Sequence, residues 1–265
     1  MKAVKDILFI ASLMVYLVVV TSFISSKERL QKVNSLKIRI VDSTDNQFIR
    51  SNDVRSMLEQ KKFNLFGKPA VTINLVEIEK SLKSGQIISK AEAYITERGV
   101  VHVEIKQKTP FVRIFNKFGQ GYYLDHDGNI IPLSNNFSPL VIVANGYITE
   151  PFRIGQTLNI FDVKHDSLMR IQKTIYDVYK LVRYISGDEF WQAQIEQIYV
   201  NNKYEFELVP RVGSHIIELG QAENLSEKFA NLKLLYHQGF NNLGWNQYER
   251  ISLKYKNQIV CTKIQ

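Results

Sequence analysis

Residues 7–24, ILFIASLMVYLVVVTSFI, run for eighteen positions without a charge. This stretch restricts the chain more than any other. As a helix it reaches about 27 Å, close to the roughly 30 Å hydrocarbon core of a bilayer. Twelve of its side chains are Ile, Leu, Val or Phe, and together they favour insertion by roughly 4–7 kcal/mol. A helix buried in a soluble core would keep polar residues on its outer face. A cleaved signal peptide would have a shorter apolar region, about 7–15 residues, with a small-x-small site behind it. Ser22-Phe23-Ile24-Ser25-Ser26 is a poor match to such a site. The expectation is an uncleaved transmembrane helix over 7–24, with residues 1–6 as a cytoplasmic stub. Flanking charge argues the other way: Lys2 and Lys5 precede the span, and Lys27, Arg29 and Lys32 follow it. A long domain crosses largely regardless of such charges, so the bulk of the chain is expected on the extracytoplasmic side.

Composition narrows the classes. Hydrophobic residues at 45% and charged residues at 23% exclude a disordered chain. A single cysteine, Cys261, excludes a disulfide scaffold, a structural zinc site and an iron–sulfur cluster. The net charge of +8 favours acidic partners or membrane surfaces. It is spread along the chain and forms no patch, which argues against nucleic acid.

Residues 25–35 read as a polar linker. Leu36–Ile40 alternates with period two and predicts a strand. Ser51-Asn52-Asp53 can cap a helix through Val54, Met57 and Leu58. Asn74 can cap a second, with Leu75, Ile78 and Leu82 on one face and Gly85 as its stop. Two alternating strands follow, Ala91–Thr96 and Val101–Lys106, around the Arg98-Gly99 turn. The order strand–helix–helix–strand–strand predicts a small α+β domain over 36–108.

Beyond Pro110 the architecture changes. Strands are expected at Phe111–Phe115 and Gly121–Leu124, with an Asp127-Gly128 hairpin leading to Ile130-Ile131. Leu140–Ala144 is expected as a strand ended by Asn145-Gly146. A helix is expected from about Lys164 to Ile185, carrying Leu168, Ile171, Ile175, Val178, Leu181, Val182 and Ile185. Ile195–Val200 and Tyr204–Leu208 flank Asn201-Asn202 as a hairpin. Ile216–Leu219 is a strand. Leu225, Phe229, Leu232, Leu235 and Tyr236 form a helical stripe stopped by Gly239. Ile251–Lys256 and Gln258–Ile264 are expected as two strands joined around Asn257. Residues 110–265 thus predict a β-rich domain with flanking helices.

Signatures of catalysis are missing. The histidines at 102, 126, 165, 215 and 237 have no H-E-x-x-H spacing, and there is no G-x-S-x-G elbow or G-x-G-x-x-G loop. Gly67-Lys68 fails the phosphate-loop pattern, because Lys62 and Pro69 stand at its required positions. Asp125-His126-Asp127-Gly128 lacks the Glu of a calcium loop, Asn136 standing in its place, and reads better as a hairpin. Cys261 reads as a half-buried residue of a terminal strand. No cofactor, metal or small-molecule substrate is expected.

Three stretches, taken in order after one span, resemble a known family. Glu104-Ile105-Lys106-Gln107-Lys108-Thr109-Pro110-Phe111 is similar to the basic-Pro junction between the two domains of the bacterial cell-division family FtsQ/DivIB. Tyr122-Tyr123-Leu124-Asp125-His126-Asp127-Gly128-Asn129-Ile130-Ile131 resembles its aromatic hairpin. Arg250–Val260 is similar to its last pair of strands, with Ser252 where the family usually has Asp and Lys254 where it has Arg. The 36–108 module resembles a POTRA domain. The resemblance implies a non-enzymatic scaffold of the bacterial inner membrane that recruits membrane partners of the FtsB and FtsL type. It implies that the last strands make the contact by strand addition. Tyr255, Ile259, Cys261 and Lys263 are the expected partner-binding residues, with Lys254, Lys256 and Lys263 free to meet acidic groups. The rival readings are an anchored envelope enzyme and a POTRA-containing outer-membrane assembly chaperone. The latter usually carries several such modules and a barrel, for which this chain has no room.

Overall fold

The computed structural model describes residues 9–19, 31–42, 47–149, 159–161, 169–240, 244–245 and 247–264, with the backbone alone over 169–173. The chain divides into two compact units, Met1–Gln107 and Lys108–Gln265. Residues 9–19 form a helix, α1, whose side chains are exposed all round. It is about 16 Å long at 1.5 Å per residue. Among the described residues no helix is long and apolar enough to cross a membrane. The rest of the expected span, 7–8 and 20–24, lies outside the described residues, as do the stub and most of the linker.

In the first unit, β1 (Ser35–Ile40), α2 (Ser51–Gln60), α3 (Leu75–Lys83), β2 (Ile88–Ile95) and β3 (Val100–Gln107) follow the expected order. The sheet runs β1-β3-β2, with β1 parallel and β2 antiparallel to β3. The first helix is capped differently from expectation. Arg50 is the cap residue, and the Asp53 carboxylate reaches back to accept from its N–H at 2.7 Å. Asn74 caps α3 as expected, accepting from the Glu77 N–H at 3.1 Å. Val54, Leu58, Ile78 and Leu82 from the two helices pack on Ala91, Val101, Val103 and Ile105 of the sheet.

Among the described residues, the strands of the second unit form one nine-stranded sheet. Its strands are β4 (Pro110–Phe115), β5 (Gly121–Asp125), β6 (Ile130–Pro132), β7 (Ile142–Gly146), β8 (Ile195–Val200), β9 (Phe206–Pro210), β10 (Ile216–Gly220), β11 (Tyr248–Ser252) and β12 (Val260–Lys263). Their order is β12-β11-β10-β9-β8-β7-β4-β5-β6. Three parallel steps need crossovers; the one from β4 to β7 passes through β5 and β6, and the other two carry helices. α4 (Met169–Ser186) and α5 (Glu189–Gln194) lie between β7 and β8, and α6 (Leu225–Leu234) lies between β10 and β11. These four strands point the same way, and both steps move toward β12. Right-handed crossovers therefore put all three helices on one face.

The register follows from that. Tyr122, Ile114, Ala144, Ile198, Leu208, Ile217, Ile251 and Cys261 are successive cross-strand partners. All but Cys261 are buried, in one cluster with Val178, Leu181, Val182, Trp191, Phe229 and Leu232 from the helices. The opposite face carries Tyr199, Glu207, Glu218, Ser252 and Val260 in register.

Three expectations are corrected, and one stretch without an expectation gains a helix. The strand expected at Leu140 begins at Ile142, because a three-residue turn closes first, with Val141 N–H donating to Pro139 C=O at 3.2 Å. The Asn201-Asn202 hairpin is a longer loop. Asn201 Oδ1 accepts from the Lys203 and Glu205 N–H groups, Tyr204 takes φ 59°, and β9 starts only at Phe206. Residues 186–194, without an assignment from sequence, contain α5, which Asp188 caps by accepting from Phe190 and Trp191. The stripe ending at Gly239 continues α6 as a π turn, Leu235–Gly239. Lys164–Leu168 of the long helix lie outside the described residues.

Candidate functional site

The last hairpin ends the sheet. β12 pairs with β11 through Ser252↔Val260, Ile251↔Cys261, Arg250↔Thr262 and Tyr248↔Lys263, and has no second neighbour among the described residues. Just beyond it, the Ile264 N–H donates to Gln247 C=O at 3.1 Å. Backbone polar groups alternate in direction along a strand. Val260 and Thr262 therefore turn theirs toward β11 with Ile264, and Cys261 and Lys263 turn theirs outward. Among the described residues nothing pairs with their N–H and C=O groups, which form a row at the margin.

Side chains shape the two faces of this edge. Cys261 ends the apolar row beneath the helices, and burial pushes its thiol above the ordinary value, so it stays protonated at neutral pH. On the other face Arg250 bridges two carboxylates, Glu218 at 2.6 Å and Glu207 at 3.1 Å. The hydrogen bond that Arg250 donates to Glu218 raises the guanidinium above its already high value.

The expected strands are displaced. Parallel pairing with β10 draws Arg250–Ser252 into β11, and Leu253 continues it by donating to Glu218 C=O at 2.9 Å. The chain then leaves the sheet, turning at Asn257 with φ 60°. Of the four expected contact residues, Cys261 and Lys263 lie on β12. Tyr255 and Ile259 lie in the connecting loop, Tyr255 exposed and Ile259 packed on the core. Both line a cavity of about 320 Å³ between this loop and α6, where Glu227 and Asn231 face them. Lys254 is already taken by Glu205 at 2.6 Å, whose hydrogen bond raises its pKa. Lys256 and Lys263 are exposed and make no ion pair among the described residues. The Arg250–Glu207–Glu218 cluster was missed from sequence, although Glu218 and Arg250 each stand beside an apolar neighbour in a strand-like pattern.

Two of the other margins are less open. β6, at the far side of the same sheet, is three residues long and ends in Pro132, which has no N–H. On β2 of the first sheet, Glu79 covers the edge by accepting from the Ala93 N–H at 2.8 Å.

Polar clusters elsewhere serve the fold. Asp125 accepts from Asp127 N–H, Asn129 N–H and Asn129 Nδ2 at 2.8–2.9 Å, so its carboxylate organises the hairpin. Gly128 sits at φ 76°, and a Cβ there would meet Phe161 at 2.6 Å. His102 stacks on Tyr94, and His126 packs on Phe111. His165 lies outside the described residues. Among the described residues no group of three or more His, Cys, Asp or Glu can hold a metal ion.

One buried histidine supports the segment entering β11. His215 Nε2 lies 2.8 Å from Tyr236 Oη, and its ring packs on Tyr236 and Phe240. Its Nδ1 is buried without a partner among the described residues. Burial holds the imidazole below its ordinary value. The unfolded chain therefore takes up this proton first as pH falls below about 6.5. Stability attached to His215 is full above that pH and is lost as pH drops toward the folded value. Thermal unfolding from pH 7.5 to 5 should show this loss, and His215→Gln should flatten it. An unchanged slope in the variant would assign the loss to other groups.

Two family models match the chain: a POTRA-like domain over residues 31–106, and the FtsQ/DivIB, C-terminal related domain over residues 109–262. No curated protein matches it. The second match covers more than half the chain, in the unit that carries the free edge. FtsQ/DivIB proteins are non-enzymatic, membrane-associated proteins of cell division. A POTRA-like module followed by a β-rich domain of this type places the chain in the FtsQ/DivIB family.

Proposed function

We propose that this protein is a single-pass divisome scaffold of the bacterial inner membrane. In this reading it recruits division proteins of the FtsB and FtsL type by adding their strand to β12. The observation that carries it is the free margin at Cys261 and Lys263. A partner strand there completes backbone hydrogen bonds and extends the apolar row past Cys261. Lys256 and Lys263 favour an acidic partner, and the cavity at Tyr255 and Ile259 offers room for a side chain beside the strand. The uncharged run 7–24 supports an anchor, and the exposure of α1 on all sides fits a helix surrounded by lipid.

The test is co-purification of the full-length protein from its native membrane, with identification of the bound chains and hydrogen exchange on the complex. Expected are single-pass division proteins, together with new protection at the Cys261 and Lys263 amides. A bound partner that leaves both amides as exchangeable as before would move the contact elsewhere.

A further inference from the structure

The connection from α2 to α3 exposes two large apolar side chains among lysines. Residues 61–71 read KKFNLFGKPAV. Leu65 is buried in the core of the first unit, yet Phe66 is 56% and Val71 is 61% exposed. Lys61, Lys62 and Lys68 are exposed and make no ion pair among the described residues. Isolated exposed apolar residues are ordinary. Two further observations set this loop apart.

The first is its attachment. Gly67 N–H donates to Val33 C=O at 2.8 Å, Val33 N–H to Lys68 C=O at 2.9 Å, and Ala70 N–H to Gln31 C=O at 2.8 Å. Lys32 forms a β-bridge with Pro69. The loop is thus clamped to residues 31–33. The second is chain distance. Seven steps separate Ile24, the last residue of the uncharged run, from Gln31. Fully extended they reach at most about 25 Å. Whatever path the linker takes, this loop stays close to the end of the run.

We propose that loop 61–71 seats on the surface of the membrane that anchors the chain. Phe66 and Val71 enter the headgroup region, while Lys61, Lys62 and Lys68 meet lipid phosphates and lay their methylene stems along the apolar side chains. The proposal rests on reading 7–24 as a membrane span. Its consequence is orientation: the first unit is held against the bilayer at one end of its sheet.

The full-length protein is reconstituted into vesicles of phosphatidylcholine with or without one quarter phosphatidylglycerol. A photoreactive benzophenone side chain is placed at position 71 or, for comparison, at exposed position 106. Lys106 lies at the opposite end of β3 from the clamp, next to the Ile40↔Ile105 pair. After illumination, lipid adducts are counted by mass spectrometry. Adducts at 71 should exceed those at 106 about fivefold in the anionic vesicles, and the excess should shrink in phosphatidylcholine alone. A Lys61→Glu, Lys62→Glu, Lys68→Glu variant carrying the same label should lose the excess. Equal labelling at 71 and 106, in protein that stays with the vesicles through an alkaline wash, overturns the surface contact and leaves the anchor intact. Release of the protein by that wash overturns both.

Discussion

Lys263→Pro should weaken partner capture by tenfold to a hundredfold while the protein keeps its melting temperature. Proline removes the N–H at 263, and its ring occupies the space a neighbouring strand would need. The Lys263 N–H points away from β11, so the sheet itself loses no bond. On the partner's side one backbone bond goes and its acceptor is left unsatisfied. Such a loss is worth about 1.5–3 kcal/mol, hence the tenfold to hundredfold range. Cys261→Pro should act on binding in the same way, with an added packing loss because the thiol ends the apolar row. Thr262→Pro is the discriminating variant. Its N–H faces β11, so proline there should fray β12, lower the melting temperature and abolish binding together. The measurement is affinity for the co-purified partner beside thermal unfolding of each variant. Alternation in stability with even binding loss is the signature of strand addition. Full affinity in both odd-position variants would rule the β12 margin out as the contact.

Such alternation depends on register, and register was only partly legible in the sequence. Local signals were reliable where chemistry is local. Asn74, the Arg98-Gly99 turn and the Asp127-Gly128 hairpin each do what their side chains or backbone freedom allow. Errors arose where a long-range pairing decides. Ile251–Lys256 alternates more regularly than Tyr248–Ser252 does, and only the parallel partner Ile216–Glu218 selects the earlier frame. That partner is 34 residues upstream by register, Ile217 with Ile251. Tyr255 and Ile259 were therefore expected on strands but lie in the loop, while Cys261 and Lys263 keep their place on the edge. The longer turn at Asn201 was missed for a different reason. An Asn-Asn pair suits a two-residue turn, but the Asn201 side chain gathers two N–H groups and stretches the loop to Glu205. That β12 ends the sheet could be inferred only through the family resemblance, since strand order leaves no mark in a single sequence.

Trp191→Ala should be the most damaging single change in the second unit, and it should damage the edge without touching it. Trp191 is 2% exposed and sits on the short helix that Asp188 caps. Its ring meets Phe229 of α6 at 5.1 Å and Tyr236 of the π turn at 5.5 Å, both edge-on. Removing it leaves a cavity between two crossover connections, at a cost of about 3–5 kcal/mol. For a unit of this size that lowers the melting temperature by roughly 6–20 °C. The route to function runs through α6. This helix links β10 to β11, and the parallel pairing of those strands sets the frame in which β12 lies. Loosening α6 should therefore raise amide exchange in β11 and β12 before global unfolding, and partner affinity should fall along with stability. The first unit has its own core of Val54, Leu58, Ile78 and Leu82 against Val101 and Val103, so its amides should keep wild-type protection. Calorimetry and hydrogen exchange on the full-length protein separate these effects. Unchanged protection in β11 and β12 of the variant would show that the helical layer does not govern the edge.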